Sequence, residues 1–357
     1  MKKILLIAIF FLAFFLRFYK LGDVPPGLYI DEASIGYNAY SVLTTGKDEF
    51  GEKFPLWFRS FGDYKPPVYI YLTSVSMAIF GKNEWAVRFP SAFFGTLTVL
   101  ITYFLIKKLF MLSGGVFALL TSLLLAISPW HLQFSRAAFE ANVGLFLFIL
   151  GTFLALMFWQ KTKAIFLFFS FFVFGLTLYT YHIYRLITPI WLIMLIIFFL
   201  RNSPKFLKAI TLASLFLLLI TMPVIRYSLS SQGQARFNLT SAFAYQKPLD
   251  YPAIFMRNYL SYFSLPFLFA YGDGIGRHQI DGFGPLSYWQ IPFFLIGLII
   301  LFKRRREVMA LMVLLFLLLS PLPAALAQPS PHVLRSLPLV IPIYLTMAMG
   351  ITVCWQK

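Results

Sequence analysis

Long apolar stretches recur along nearly the whole chain, each closed by a basic cluster or a short polar turn. The first, "ILLIAIFFLAFFL", follows Met1-Lys2-Lys3 and resembles a signal peptide. No small-x-small cleavage site follows, and "RFYKLGD" reads as an interfacial anchor, so the stretch is taken as an uncleaved first span. A helix needs ~20 apolar residues to cross a bilayer core, and basic loops mark its cytoplasmic side. With the N-terminus cytoplasmic, spans are predicted at about 4–19, 89–106, 113–129, 141–159 and 164–180. Five more follow at about 187–200, 209–225, 291–302, 308–326 and 337–354.

The apolar run at about 66–80, "PPVYIYLTSVSMAIF", is shorter than a span requires. If it crossed, Lys107-Lys108 and most later basic clusters would fall outside. Read as an interfacial or re-entrant helix, it leaves Lys107-Lys108, "QKTK", "RNSPKFLK", "KRRRE" and Lys357 inside. Of the 13 acidic residues, all but Glu307 then lie outside, although acidic residues were not used to set the topology. The predicted fold class is an all-α polytopic membrane protein, one integral-membrane domain over 1–357 with about ten transmembrane helices and no soluble domain. Its external segments cover roughly 17–88, 130–140 and 226–290, and their Gly, Pro, Tyr and Trp content suggests partly ordered, interfacial loops.

Composition sharpens this. Mean hydropathy is +0.79, 60% of residues are apolar and 43 are Phe, more apolar surface than a soluble domain of 357 residues can bury. The single cysteine excludes an internal disulfide framework. A net charge of +17 would suggest nucleic acid in a soluble protein. Here the basic residues punctuate spans, so they read as orientation signals facing the lipid bilayer, and no nucleic-acid partner is expected.

The outer face gathers ionisable groups from distant parts of the chain. "GLYIDEASIGY" brings Asp31 and Glu32, and "GDYKPPVY" brings Asp63, Tyr64 and Lys65. "SRAAFE" adds Arg136 and Glu140, "YTYHIYR" adds His182 and Arg185, and "PHVLRSLP" adds His332 and Arg335. Carboxylates and cations at one bilayer depth suit chemistry on a lipid phosphate, where a base takes a proton and cations hold the phosphate. Each residue also has a structural alternative. Asp31 could be an N-cap with Glu32 complementing a helix dipole. Lys65 could snorkel to the headgroups, and Arg136 with Glu140 could be an i,i+4 pair. His182 and His332 could be interfacial, and Arg88 reads as an anchor. "GDGIG" lacks a preceding strand, so it is not a dinucleotide fingerprint. No group of residues has metal-ligand spacing, so no metal site is expected.

Taken together and in order, these pieces resemble one family. The Asp-Glu pair, "KPPVY", "FGKNEWAVRFPSAFFGTLTV" and "SPWHLQFSRAAFE" are similar to the polytopic GT-C glycosyltransferases over most of residues 1–160, and "PHVLRSLPLVIP" matches a late element. The branch is the bacterial one related to dolichyl-phosphate-mannose protein mannosyltransferases and the lipid A aminoarabinose transferase. The resemblance implies juxtamembrane helices in the first external loop. It also implies transfer of a sugar, with inversion, from a polyprenyl-phosphate carrier to a glycan, lipid or protein acceptor at the external face of the cell membrane. It makes Asp31 the catalytic carboxylate, Glu32 its companion and Glu140 the second acidic residue. Lys65 becomes the phosphate-binding lysine, with Arg136 and Arg335 as further phosphate contacts; Asp63, Tyr64, His182, Arg185 and His332 are substrate-contact candidates. Two positions depart from the aminoarabinose branch: Ser34 replaces an arginine, and Tyr64 replaces a glutamate that helps hold a metal. A divalent metal of that kind and a lipid A acceptor are therefore not expected, and no other cofactor is implied. Family members are often longer, so the chain is either a compact member or part of one.

Two other classes compete. A flippase or transporter would place charges deep in its spans, whereas the predicted span interiors are almost free of charge. A glycan polymerase or ligase using the same carriers would rely on external His and Arg, here Arg257, Arg277 and His278.

Overall fold

The computed structural model describes residues 2–110, 114–244 and 246–356. Its first helices are α1 (Lys2–Phe18), α2 (Ile30–Thr45), α3 (Pro67–Phe80), α4 (Glu84–Leu109), α5 (Gly114–Ala126) and α6 (Pro129–Arg136). Then come α7 (Glu140–Lys161), α8 (Ala164–Leu178), α9 (Tyr184–Asn202), α10 (Leu207–Leu229) and α11 (Ser231–Thr240). The last are α12 (Tyr251–Ser261), α13 (Ile291–Lys303), α14 (Val308–Leu319), α15 (Leu322–Ala325) and α16 (Val340–Gln356).

The ten predicted spans each fall on a helix, namely α1, α4, α5, α7–α10, α13, α14 and α16. Ser113, at the start of one of those expectations, and Lys357, expected on the inside after the last, lie outside the described residues. Among the described residues, six helices are long and apolar enough to cross a membrane, or seven if α5 and α6, bent by 56°, form one broken span. The predicted interfacial run is α3, only 14 residues long. The segment at 226–290 is more helical than a loop, holding α11, α12 and a π-helical turn at Pro266–Tyr271.

The chain divides into two compact units, each drawn from separate segments. One comprises Phe18–Phe94 and Arg136–Leu239. Its core packs α2 on α3 through Ile35, Ala39, Val42, Tyr69, Ile70 and Met77. Between these helices runs the one hairpin among the described residues, β1 (Phe58–Ser60) antiparallel to β2 (Asp63–Lys65), with Phe58 opposite Lys65. Its two-residue turn has φ of +49° at Phe61 and +77° at Gly62. Positive φ at both positions defines the type I′ turn, whose twist matches the strands it joins. Pro67 then opens α3 at its first position, where the missing N–H costs nothing, so Lys65 is fixed between a strand and a helix.

The other unit comprises Met1–Arg17, Gly95–Ser135 and Thr240–Lys357. In it α13 and α16 cross backbone to backbone. A Cβ at Gly297 would sit 1.9 Å from the Thr346 carbonyl oxygen, and one at Gly350 would sit 2.0 Å from that of Phe293. Helices in lipid associate by such close packing of small residues, since lipid supplies no hydrophobic drive between them. Arg17 corrects the anchor reading of "RFYKLGD". It is buried, and its guanidinium donates to the carbonyls of Leu125 (3.3 Å) and Ala126 (3.2 Å) and meets His131 Nδ1 at 2.7 Å. Those carbonyls lose helical partners at the α5–α6 bend, and Arg17 satisfies them.

Candidate active site

Helix α2 starts two residues before the place expected with Asp31 as its N-cap. Tyr29 is its N-cap, which puts Asp31 and Glu32 together in the first turn, where the helix dipole favours carboxylates. Neighbours on a helix point about 100° apart, and the two acids meet different surroundings. Asp31 faces β2: Lys65 Nζ donates to Asp31 Oδ1 at 2.8 Å, with the Asp31 side chain 32% exposed and that of Lys65 13%. This pair keeps contact with water.

Glu32 does not. It and Arg88 are both 0% exposed. Arg88 Nε donates to Glu32 Oε1 at 3.0 Å and Arg88 Nη2 to Oε2 at 3.1 Å. Glu32 also accepts from the backbone N–H of Ala138 (2.8 Å) and of Tyr29 (3.3 Å). The remaining N–H groups of Arg88 hold the carbonyls of Leu21, Gly22, Pro25 and Gly27. One buried ion pair thereby ties the 21–27 loop, the start of α2 and the approach to α7. Arg88 is thus no membrane anchor. The signal in the sequence was weak, because an arginine just before an apolar run usually is one.

Arg136 serves the same loop: its Nη2 donates to Tyr19 O at 2.8 Å and Val24 O at 3.0 Å. Glu140 opens α7 and is largely buried. Burial first, then the charges of Asp31, Glu140 and Glu32, push the Tyr29 hydroxyl well above its usual pKa. All three carboxylates thus act on one phenol, whose ring stacks on Phe139.

The other candidates in this unit lie about the hairpin. Asp63 Oδ1 accepts from Tyr64 N at 2.7 Å, and the Tyr64 ring meets Tyr227 edge-on. Arg185 lies 5.0 Å from the Trp57 ring centre and 5.5 Å from that of Tyr227; the two rings stack 3.9 Å apart. His182 precedes it at the foot of α9 and meets Tyr181 edge-on. Trp57 and Tyr227 were not singled out from sequence, since isolated aromatic residues blend into an interfacial belt.

His332 and Arg335 belong to the other unit. Arg335 Nη1 donates to Gln328 O (2.8 Å) and Pro329 O (3.3 Å). His332 lies beside Asp273 and His278, and Asp273 Oδ2 is 2.7 Å from His278 Nδ1 and 3.7 Å from His332 Nδ1. Burial and the charges of Arg335 and His278 push the His332 pKa down to about 2. Burial alone would raise that of Asp273, but the His278 bond and charge, with the N–H groups of Val333 and Ile275, bring it below its usual value. This cluster was invisible as a motif, because 54 residues separate His278 from His332.

Residues 64–227 match the sequence profile of the dolichyl-phosphate-mannose-protein mannosyltransferase family. YkcB of Bacillus subtilis, named a candidate mannosyltransferase, is 34% identical over 111 residues, 31% of this chain and 15% of YkcB. ArnT from Cupriavidus metallidurans superposes with a TM-score of 0.64 at 15% identity, covering 99% of this chain and 61% of ArnT. The Archaeoglobus fulgidus oligosaccharyltransferase gives 0.64 at 14% identity, covering 100% of this chain and 51% of that one. ArnT has also been solved with undecaprenyl phosphate, and that form gives 0.63. The chain therefore has the fold of the GT-C membrane glycosyltransferases. It spans well under two thirds of each of these relatives.

Proposed function

We propose that the protein transfers a sugar from a polyprenyl-phosphate carrier to a glycan, lipid or protein acceptor, with inversion. The observation that carries this reading is the half-buried Asp31–Lys65 pair, a carboxylate and an ammonium in contact at a water-accessible edge. An acceptor hydroxyl attacks the anomeric carbon and gives its proton to Asp31 Oδ1. The bond from that carbon to the phosphate oxygen breaks on the opposite side, and the polyprenyl phosphate leaves with the electron pair. Lys65 Nζ neutralises the charge growing on that oxygen, a contribution that is largest where water is scarce.

In the resting protein Lys65 is engaged by Asp31. A donor phosphate competes for the same ammonium, and as Lys65 turns to it Asp31 becomes available as a base. Glu32 takes no proton in this scheme. Its four hydrogen bonds fix the helix start, so it positions Asp31. Glu140, close to Tyr29, adds negative charge on the acceptor side. Arg136, bonded to loop carbonyls, shapes the 19–24 segment. Arg185 with Trp57 and Tyr227 offers a rigid wall for a sugar ring.

The basic clusters between spans favour a cytoplasmic N-terminus, with Asp31 and Lys65 on the external face. Donor identity is tested by offering the purified chain, in lipid nanodiscs, either nucleotide sugars or polyprenyl-phosphate sugars. Sugar release is expected only from the lipid-phosphate donors, and release from a nucleotide sugar would overturn the proposal.

A further inference from the structure

We infer that Asp273, His278 and His332 form a binding site for a divalent transition-metal ion of the Zn2+ type. Their ligand atoms all lie within 4.8 Å of one another. The three side chains are 0%, 1% and 8% exposed, unusual for a carboxylate and two imidazoles unless they share a task. The ions concerned bind imidazole nitrogen and carboxylate oxygen at roughly 2.0–2.2 Å, so tetrahedral ligands sit about 3–3.5 Å apart. Separations of 2.7 and 3.7 Å from Asp273 Oδ2 bracket that spacing. The two histidine nitrogens are no more than 4.8 Å apart, so side-chain shifts of about 1 Å would bring the three atoms around one ion.

The surroundings hold the ligands in place. Asp273 lies between Gly272 and Gly274, both at positive φ (+57° and +70°), and its N–H donates to Gln279 Oε1 at 3.0 Å. Its Oδ1 accepts from Ile275 N at 3.0 Å and its Oδ2 from Val333 N at 2.9 Å. Trp130 Nε1 donates to Val333 O, and Phe134 packs edge-on against the His278 ring. Such outer contacts fix ligand orientation in metal sites. "GDGIG", which resembles a nucleotide motif, here shapes a turn that presents one carboxylate to two histidines.

Charge selects the ion. Arg277 and Arg335 act on His332, and their positive charge opposes any dication. A hard ion held mainly by charge, such as Ca2+ or Mg2+, gains too little from one carboxylate. An ion that bonds strongly to imidazole nitrogen does not depend on charge alone. When it binds through Nδ1 of His278, the ring proton moves to Nε2 and the hydrogen bond to Asp273 gives way to two metal bonds. The ion would pin the 272–279 turn to the 332–335 segment, and with it the placement of Arg335. Binding there does not require the transfer reaction.

The test uses the full chain in detergent, stripped with a chelator, then titrated with Zn2+ and desalted before elemental analysis. About one equivalent is expected, with at least about tenfold weaker binding in His278→Gln and His332→Gln. Mg2+ and Ca2+ should not compete. Stoichiometry near zero overturns the site, and so does full binding in both variants, which would put the ion elsewhere. Should a variant fail to fold, Co2+ on the wild type decides. Visible bands typical of tetrahedral nitrogen and oxygen ligation support the site, and a spectrum of hydrated Co2+ overturns it.

Discussion

Replacing Arg88 with methionine isolates a fully buried ionic element of the fold. Methionine keeps much of the volume but removes every donor. Glu32 would keep only the N–H groups of Ala138 and Tyr29, and four carbonyls between Leu21 and Gly27 would lose their partner. Removing one member of a buried pair typically costs about 3–5 kcal/mol, because the remaining charge is left uncompensated. At about 2 °C per kcal/mol for a chain of this size, the apparent Tm should fall by roughly 6–10 °C. The double variant Glu32→Leu with Arg88→Met removes both charges, and it should lose less than Arg88→Met alone, since desolvating the pair offsets much of its attraction. The assay is thermal unfolding in detergent followed by tryptophan fluorescence. An Arg88→Met protein within about 2 °C of wild type, or a double variant with strictly additive losses, would refute the clamp.

Four further outcomes follow from the geometry. Gly297→Val forces α13 off α16 and should cost about 3 kcal/mol, the upper end for overpacking, in the same unfolding assay. Gly276→Ala, which meets open space, should cost nothing measurable. Tyr29 has a raised hydroxyl pKa, so its stabilisation is complete below the unfolded value of about 10 and is lost as pH rises beyond it. Tyr29→Phe should therefore flatten the alkaline loss of stability by up to about 1.4 kcal/mol per pH unit, and superimposable pH profiles would contradict this. Lys65→Ala should raise the KM for donor about 10–100-fold, the worth of one charge-assisted contact, and an unchanged KM would remove the phosphate role.

The helical skeleton was legible because apolar length and basic punctuation are physical requirements of a bilayer. Each of the ten predicted segments fell on a helix, and the short run before α4 is a helix of 14 residues. The Asp31–Lys65 meeting was legible only through resemblance. Nothing in the spacing of two residues 34 apart shows that a type I′ turn and a proline-started helix bring them together. The division of labour between Asp31 and Glu32 was not legible at all. It depends on Arg88, whose position before an apolar run also fits a membrane anchor, and on a backbone N–H at Ala138 that no side-chain pattern records. The histidine cluster was missed for a related reason: its ligands come from two segments far apart in the chain.

The central claim is that Asp31 takes the acceptor proton while Lys65 binds the donor phosphate. Measuring donor affinity and single-turnover sugar transfer in Asp31→Asn tests both halves at once. Losing a general base should slow transfer about 10²–10⁴-fold. Removing the Asp31 charge from beside Lys65 should leave donor binding as tight as wild type or tighter. Transfer within about threefold of wild type would contradict the base assignment, and a large loss of donor affinity would contradict the competition between Asp31 and the phosphate for Lys65.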